Sequence, residues 1–94
     1  MYFELIRRGY RVMIGRSGDS EIDFVAEKQG SIRYFQVTAD MRAKDTFERE
    51  MRPLKNIRDN YEKTVLTADM LTVGDYEGIR VRNLLDWILA SEEG

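Results

Sequence analysis

Between Tyr10 and Thr38 three runs rich in β-branched and aromatic residues alternate with short polar turns. This pattern restricts the fold more than any other feature. The run Tyr10-Arg11-Val12-Met13-Ile14 lies between Gly9 and Gly15, and a polar turn from Arg16 to Ser20 leads into Glu21 to Ala26. Lys28-Gln29-Gly30-Ser31 then places Gly at the second central position of a turn, and Ile32 to Thr38 returns from it. Such runs and turns predict an antiparallel three-strand meander. With Gln29 and Gly30 as the loop residues, Lys28 faces Ser31. Counting outward then sets Asp23 opposite Gln36 and Glu21 opposite Thr38. Side chains opposed in this way lie about 5 Å apart at Cβ. The same register predicts Ile22, Phe24 and Ala26 with Phe35 and Val37 on a core face. It puts Glu21, Asp23 and Glu27 with Tyr34, Gln36 and Thr38 on a polar face.

The flanking segments supply cover for the sheet. Tyr2, Leu5 and Ile6 share a helical stripe, which predicts a helix to about Arg8 with Gly9 as the residue that ends it. That helix begins without an N-cap, which suggests a sequence that starts inside a longer protein. Phe47, Met51, Leu54 and Ile57 predict a second helix over Asp45 to Asp59, with Asp45 and Glu48 spaced as a capping box and Pro53 expected to kink or split it. Glu62 to Ala68 is apolar on both faces. Reached through a helix, it should form a covered strand parallel to the third. Asp69 to Tyr76 reads as a loop, Gly78 to Val81 as a short strand, and Asn83 as the cap of a helix from Leu84 to Ala90. Trp87, Ile88 and Leu89 read as core, and Ser91 to Gly94 as a fraying tail. The expectation is an α/β fold with a mixed sheet, and 94 residues make a single domain over 1–94.

Composition narrows the chemistry. The chain has no cysteine and no histidine, which excludes disulfides, structural zinc, Ser-His or Cys-His nucleophile pairs and imidazole acid–base catalysis. With 15 basic and 17 acidic residues the net charge is −2, so no global positive field gathers nucleic acid. No secretory signal, lipidation box or long apolar run is present, and the expected location is cytoplasmic.

An acid on the first helix, Glu4, an acid on the second strand, Asp23, and Gln36-Val37-Thr38 on the third complete a pattern. With the element order it resembles the PD-(D/E)XK nuclease-like family. The resemblance implies a restriction-endonuclease-like core with Glu4, Asp23 and Gln36 as ligands of Mg or Mn. It places Thr38 where the family carries a catalytic lysine. Oxygen donors suit a hard cation, but a hydroxyl cannot supply positive charge to a phosphoryl transition state. Arg16, Arg42 and Lys44 fall in predicted loops and are the candidate nucleic-acid contacts, with Lys44 a possible relocated cation. Arg7, Arg8, Arg11 and the cations of the second helix are interleaved with acids and read as solvated faces. Glu21 and Glu27 read as edge decoration beside Asp23.

The wording Tyr2-Phe3-Glu4-Leu5-Ile6-Arg7-Arg8-Gly9-Tyr10, then Gly18-Asp19-Ser20-Glu21-Ile22-Asp23-Phe24 and Tyr34-Phe35-Gln36-Val37-Thr38, is similar to the C-terminal domain of bacterial and archaeal AAA-type predicted ATPases. That resemblance implies an N-terminal ATPase domain in the same protein as a partner, with DNA and a second copy as others. The chain itself has no phosphate-binding G-x-x-x-x-G-K-[ST]. The expected function is a catalytically degenerate nuclease-like module. The alternatives are an active Mg- or Mn-dependent nuclease and a purely structural docking or dimerisation domain. Without the family pattern, Glu4, Asp23 and Gln36 read as a hydrogen-bonded polar cluster or a solvated sheet face.

Overall fold

The computed structural model describes residues 1–90. Its elements follow in the order α1 (Tyr2–Arg7), β1 (Arg11–Ser17), β2 (Ser20–Lys28), β3 (Ser31–Thr38), α2 (Lys44–Lys55), β4 (Glu62–Thr67), β5 (Gly74–Tyr76), β6 (Ile79–Asn83) and α3 (Leu84–Leu89). The strands form one mixed open sheet ordered β1-β2-β3-β4-β6-β5. β1, β2 and β3 are antiparallel, β4 runs parallel to β3, β6 parallel to β4, and β5 returns antiparallel on the far edge. The α/β class, the meander and the parallel fourth strand are as expected. The predicted fraying of Ser91 to Gly94 falls outside the described residues.

Local chemistry fixes the hairpin. Gln29 and Gly30 both take positive φ, 53° and 84°, the geometry whose twist matches that of the flanking strands. Lys28 accordingly pairs with Ser31, and the ladder runs out to Phe24 opposite Phe35. The first turn is tighter than expected. Ser17 pairs with Ser20, so only Gly18 and Asp19 form the loop, and Arg16 is a strand residue opposite Glu21.

A bulge changes the predicted faces. Met13 pairs with Val25 but Gly15 pairs with Ile22, so Asp23 and Phe24 together oppose the single residue Ile14. The extra residue reverses the alternation. Ile22 therefore packs with Val25 rather than with Phe24 and Ala26. Nor is the opposite face a solvated polar one. α2 covers it with a core of Ile22, Met41, Met51, Leu54, Val65, Ile79 and Val81, against which Val25 and Tyr34 pack. α1 and α3 cover the other face, where Leu5, Tyr10, Ala26, Phe35, Leu66 and Trp87 form a second core.

The helices depart from expectation in detail. α2 starts at Lys44 with Ala43 as an N-cap that lends no side-chain bond, so Asp45 lies in the first turn and caps nothing. Pro53 does not split the helix, which runs unbroken from Lys44 to Lys55. It sits in the last turn, where its missing N–H removes one bond, and the helix ends two residues later. Of the α1 stripe only Leu5 is buried, with Tyr2 and Ile6 exposed, and in α3 Trp87 is buried while Leu89 is exposed. Asn83 caps α3 as expected, its Oδ1 accepting from Asp86 N at 3.0 Å. No described helix is long and apolar enough to cross a membrane.

Candidate functional site

The β2–β3 ladder stops at Phe24 and Phe35, and beyond it two side chains take over. Asp23 N donates to Gln36 Oε1 at 2.7 Å, and Val37 N donates to Asp23 Oδ2 at 2.9 Å. Each side chain thus bonds the backbone of the opposite strand. Gln36 is only 4% exposed, so its amide oxygen must have such a partner. β3 meanwhile continues along β4, with Gln36 beside Val65 and Thr38 beside Thr67. Asp23 and Gln36 are therefore neighbours, as expected, but they meet through a side-chain clasp where the ladder opens rather than as a ladder pair.

α2 packs over this face of the sheet and carries one acid on its sheet-facing stripe. Glu50 is half-buried, and its carboxyl is held above the ordinary range, first by burial and then by the negative charge of Asp23, with Arg49 pulling the other way. Sequence reasoning passed over Glu50. The signal was present: Phe47, Glu50, Met51 and Leu54 stand at i, i+3, i+4 and i+7, so an acid occupies the buried stripe of an amphipathic helix.

Glu4 is engaged elsewhere. Its Oε2 accepts from Arg7 Nη2 at 2.6 Å and from Arg8 Nε at 2.7 Å, and Arg7 Nε reaches Oε1 at 3.2 Å. These bonds hold its carboxyl far below the ordinary value of 4.5, at about 2. Arg8 is buried, lies 3.9 Å from the Trp87 ring centroid and donates to the carbonyls of Trp87 at 2.9 Å and Ile88 at 3.2 Å. Glu4 thus belongs to the bond network between α1 and the end of α3.

The remaining candidates are dispersed. Thr38 is half-buried, and its carbonyl accepts from Ala68 N at 3.3 Å. Arg16 is exposed on β1, and Lys44 is exposed at the first position of α2. Arg42 is clamped by Asp40, whose carboxylate receives its backbone N–H at 2.8 Å and its guanidinium at 2.6 Å. Among the described residues no three of His, Cys, Asp and Glu converge where a metal ion could be held. Asp23 supplies the carboxylate of the clasp, and Glu50 on α2 is near enough for its charge to be felt there. They offer the hard oxygen donors that Mg or Mn takes, but Gln36 Oε1 is already engaged by Asp23 N.

A second acidic node lies past the end of β4. Asp69 accepts from Met41 N at 2.8 Å, Leu71 N and Thr72 N at 2.9 Å, and the hydroxyls of Thr67 and Thr72 at 2.7 and 2.9 Å. Its carboxyl is pulled well below the ordinary range by these donors against the opposing effect of burial. The bonds join the end of β4 and the loops on either side, so the node fastens the loop before α2 to the loop before β5.

No protein-family profile matches the chain, and no solved structure matches it. An uncharacterised protein of Haemophilus influenzae is 37% identical over 89 residues, which cover 95% of this chain and 22% of that protein. The chain thus spans about a fifth of the length of the curated relative it matches.

Proposed function

We propose that this chain is a PD-(D/E)XK nuclease-like module without hydrolytic chemistry of its own, serving DNA binding or domain contacts within a larger, cytoplasmic AAA-type ATPase. The order α1, three antiparallel strands, α2 and parallel β4 supports a restriction-endonuclease-like core. A relative several times longer than the chain supports a role inside a larger protein.

The observation that carries the reading is the clasp. The family's metal ligands would be Glu4, Asp23 and Gln36, yet Glu4 is paired with two arginines and Gln36 accepts the Asp23 N–H. That donor set does not fit a hydrolytic metal centre. Thr38 adds no charge where a cation would stabilise a phosphoryl transition state. The two motif residues instead tie β2 to β3.

Glu50 favours a second reading, a nuclease that seats one Mg or Mn ion between Asp23 and Glu50 and uses Lys44 as its cation. Calorimetric titration with millimolar Mn²⁺ separates the two. The clasp predicts no saturable binding, whereas saturable binding lost in both Asp23→Ala and Glu50→Gln would move the assignment to the enzyme.

A further inference from the structure

The end of the sheet away from the clasp carries a groove of about 540 Å³, a volume suited to a small ligand. Tyr10, Lys28, Arg33, Asn60, Tyr61 and Glu62 bound it, from the β2–β3 hairpin and the approach to β4. Lys28 is five residues along β2 from Asp23, roughly 16 Å at ~3.3 Å per residue, so the two places are separate.

Three features equip this groove. Lys28 Nζ donates to the neutral carbonyl of Arg8 at 2.7 Å, and among the described residues no carboxylate pairs with it. An ammonium has three donors, so charge and hydrogen-bonding capacity remain. Arg33 donates to Tyr10 Oη at 2.8 Å and to Glu62, while its Nε is buried without any partner. Arg33 lines the groove, but its unmet Nε is closed off from solvent, so contact with a ligand falls to the outer N–H groups of the guanidinium beside Glu62. Tyr61 leaves its ring exposed beside Tyr34, with the exposed amide of Asn60 next to it in sequence. Cations grip phosphate oxygens, and an exposed aromatic ring stacks on a planar base.

We propose that the groove binds a nucleotide, with its phosphate on Lys28 and Arg33 and its base against Tyr61. The source is either a free nucleotide or an unpaired position of a single strand. Glu62 remains paired to Arg33 and faces the ligand as the one opposing charge at the rim. The groove stands apart from the clasp, so its failure would leave the reading of the clasp untouched.

An amide-resolved NMR titration of the whole chain tests this, with AMP, a short oligothymidylate and inorganic phosphate as separate probes. AMP or the oligonucleotide should shift signals in 28–33 and 60–62. The affinity should fall about tenfold in Tyr61→Ala, through lost stacking, and in Lys28→Gln, through lost charge. Tyr61 is exposed, so its truncation leaves both cores intact. Arg52→Gln removes an exposed cation from α2 and should change nothing. A response to AMP identifies the free nucleotide, and one to the oligonucleotide alone identifies the single strand. Equal response to inorganic phosphate, shifts that map elsewhere, or no shifts at millimolar probe would overturn the proposal.

Discussion

Gly15 shows how one residue sets the geometry around the clasp. A Cβ there would meet Val25 Cγ2 at 2.5 Å and Ile22 Cβ at 3.4 Å, so the bulge that presents Asp23 depends on a bare backbone at this position. Gly15→Ala should destabilise the fold by about 1–3 kcal/mol, read as a lower urea midpoint at unchanged slope. Gln36→Leu leaves the buried Asp23 N–H without its acceptor, and a loss of about 1–3 kcal/mol is expected. A carboxyl raised in the folded state gives stability that falls as pH rises through its unfolded value, which is the case for Glu50. Glu50→Gln should therefore raise the melting temperature at pH 7. The lowered carboxyls of Glu4 and Asp69 act in the opposite sense. Their stabilisation is present above the ordinary values of 4.5 and 3.8 and is lost as pH falls, for Glu4 down to about 2. A melting series from pH 6 to pH 2 should fall in that window, and less steeply in Asp69→Asn.

Among the elements, the β2–β3 turn, the α3 cap and the parallel fourth strand were legible in the sequence, whereas the bulge, the edge strand and the start of α2 were not. The Gln29-Gly30 turn fixed the β2–β3 register, and Asn83 announced α3, because a turn or a cap is settled within a few residues. The bulge at Asp23 and Phe24 exists only once β1 is laid against β2, so Ile22 was placed on the wrong face. β5 is three residues long and contains Gly and Asp, which favour loops. Its pairing with β6 and the packing of Tyr76 on Phe47, with centroids 4.9 Å apart, make it a strand. Asp23 and Gln36 were legible as partners, and Glu50 could have been found as the acid on the Phe47-Met51-Leu54 stripe, although its influence on Asp23 depends on how α2 lies across the sheet. Glu4 was legible as an acid of the first helix, but its pairing with neighbouring Arg7 and Arg8 was not. α1 itself depends on Arg8, which bonds it to α3. Arg8→Met should speed amide exchange across Tyr2–Arg7 while leaving β3 and β4 protected, as hydrogen-exchange mass spectrometry would read.

For the whole molecule, the sheet is closed on both faces by helices, while its strand ends carry the polar equipment. One end holds the clasp of Asp23 and Gln36 with Glu50 beside it, and the other holds Lys28, Arg33 and Tyr61. The relative from Haemophilus influenzae sets a matching stretch within a much longer chain, the setting the proposed module would serve. The most direct measurement is cleavage of plasmid DNA by the purified chain in Mg²⁺ or Mn²⁺, beside Asp23→Ala. The clasp predicts no nicking above the protein-free control for either protein. Metal-dependent nicking by the wild type that disappears in Asp23→Ala would contradict it and make the clasp an active site.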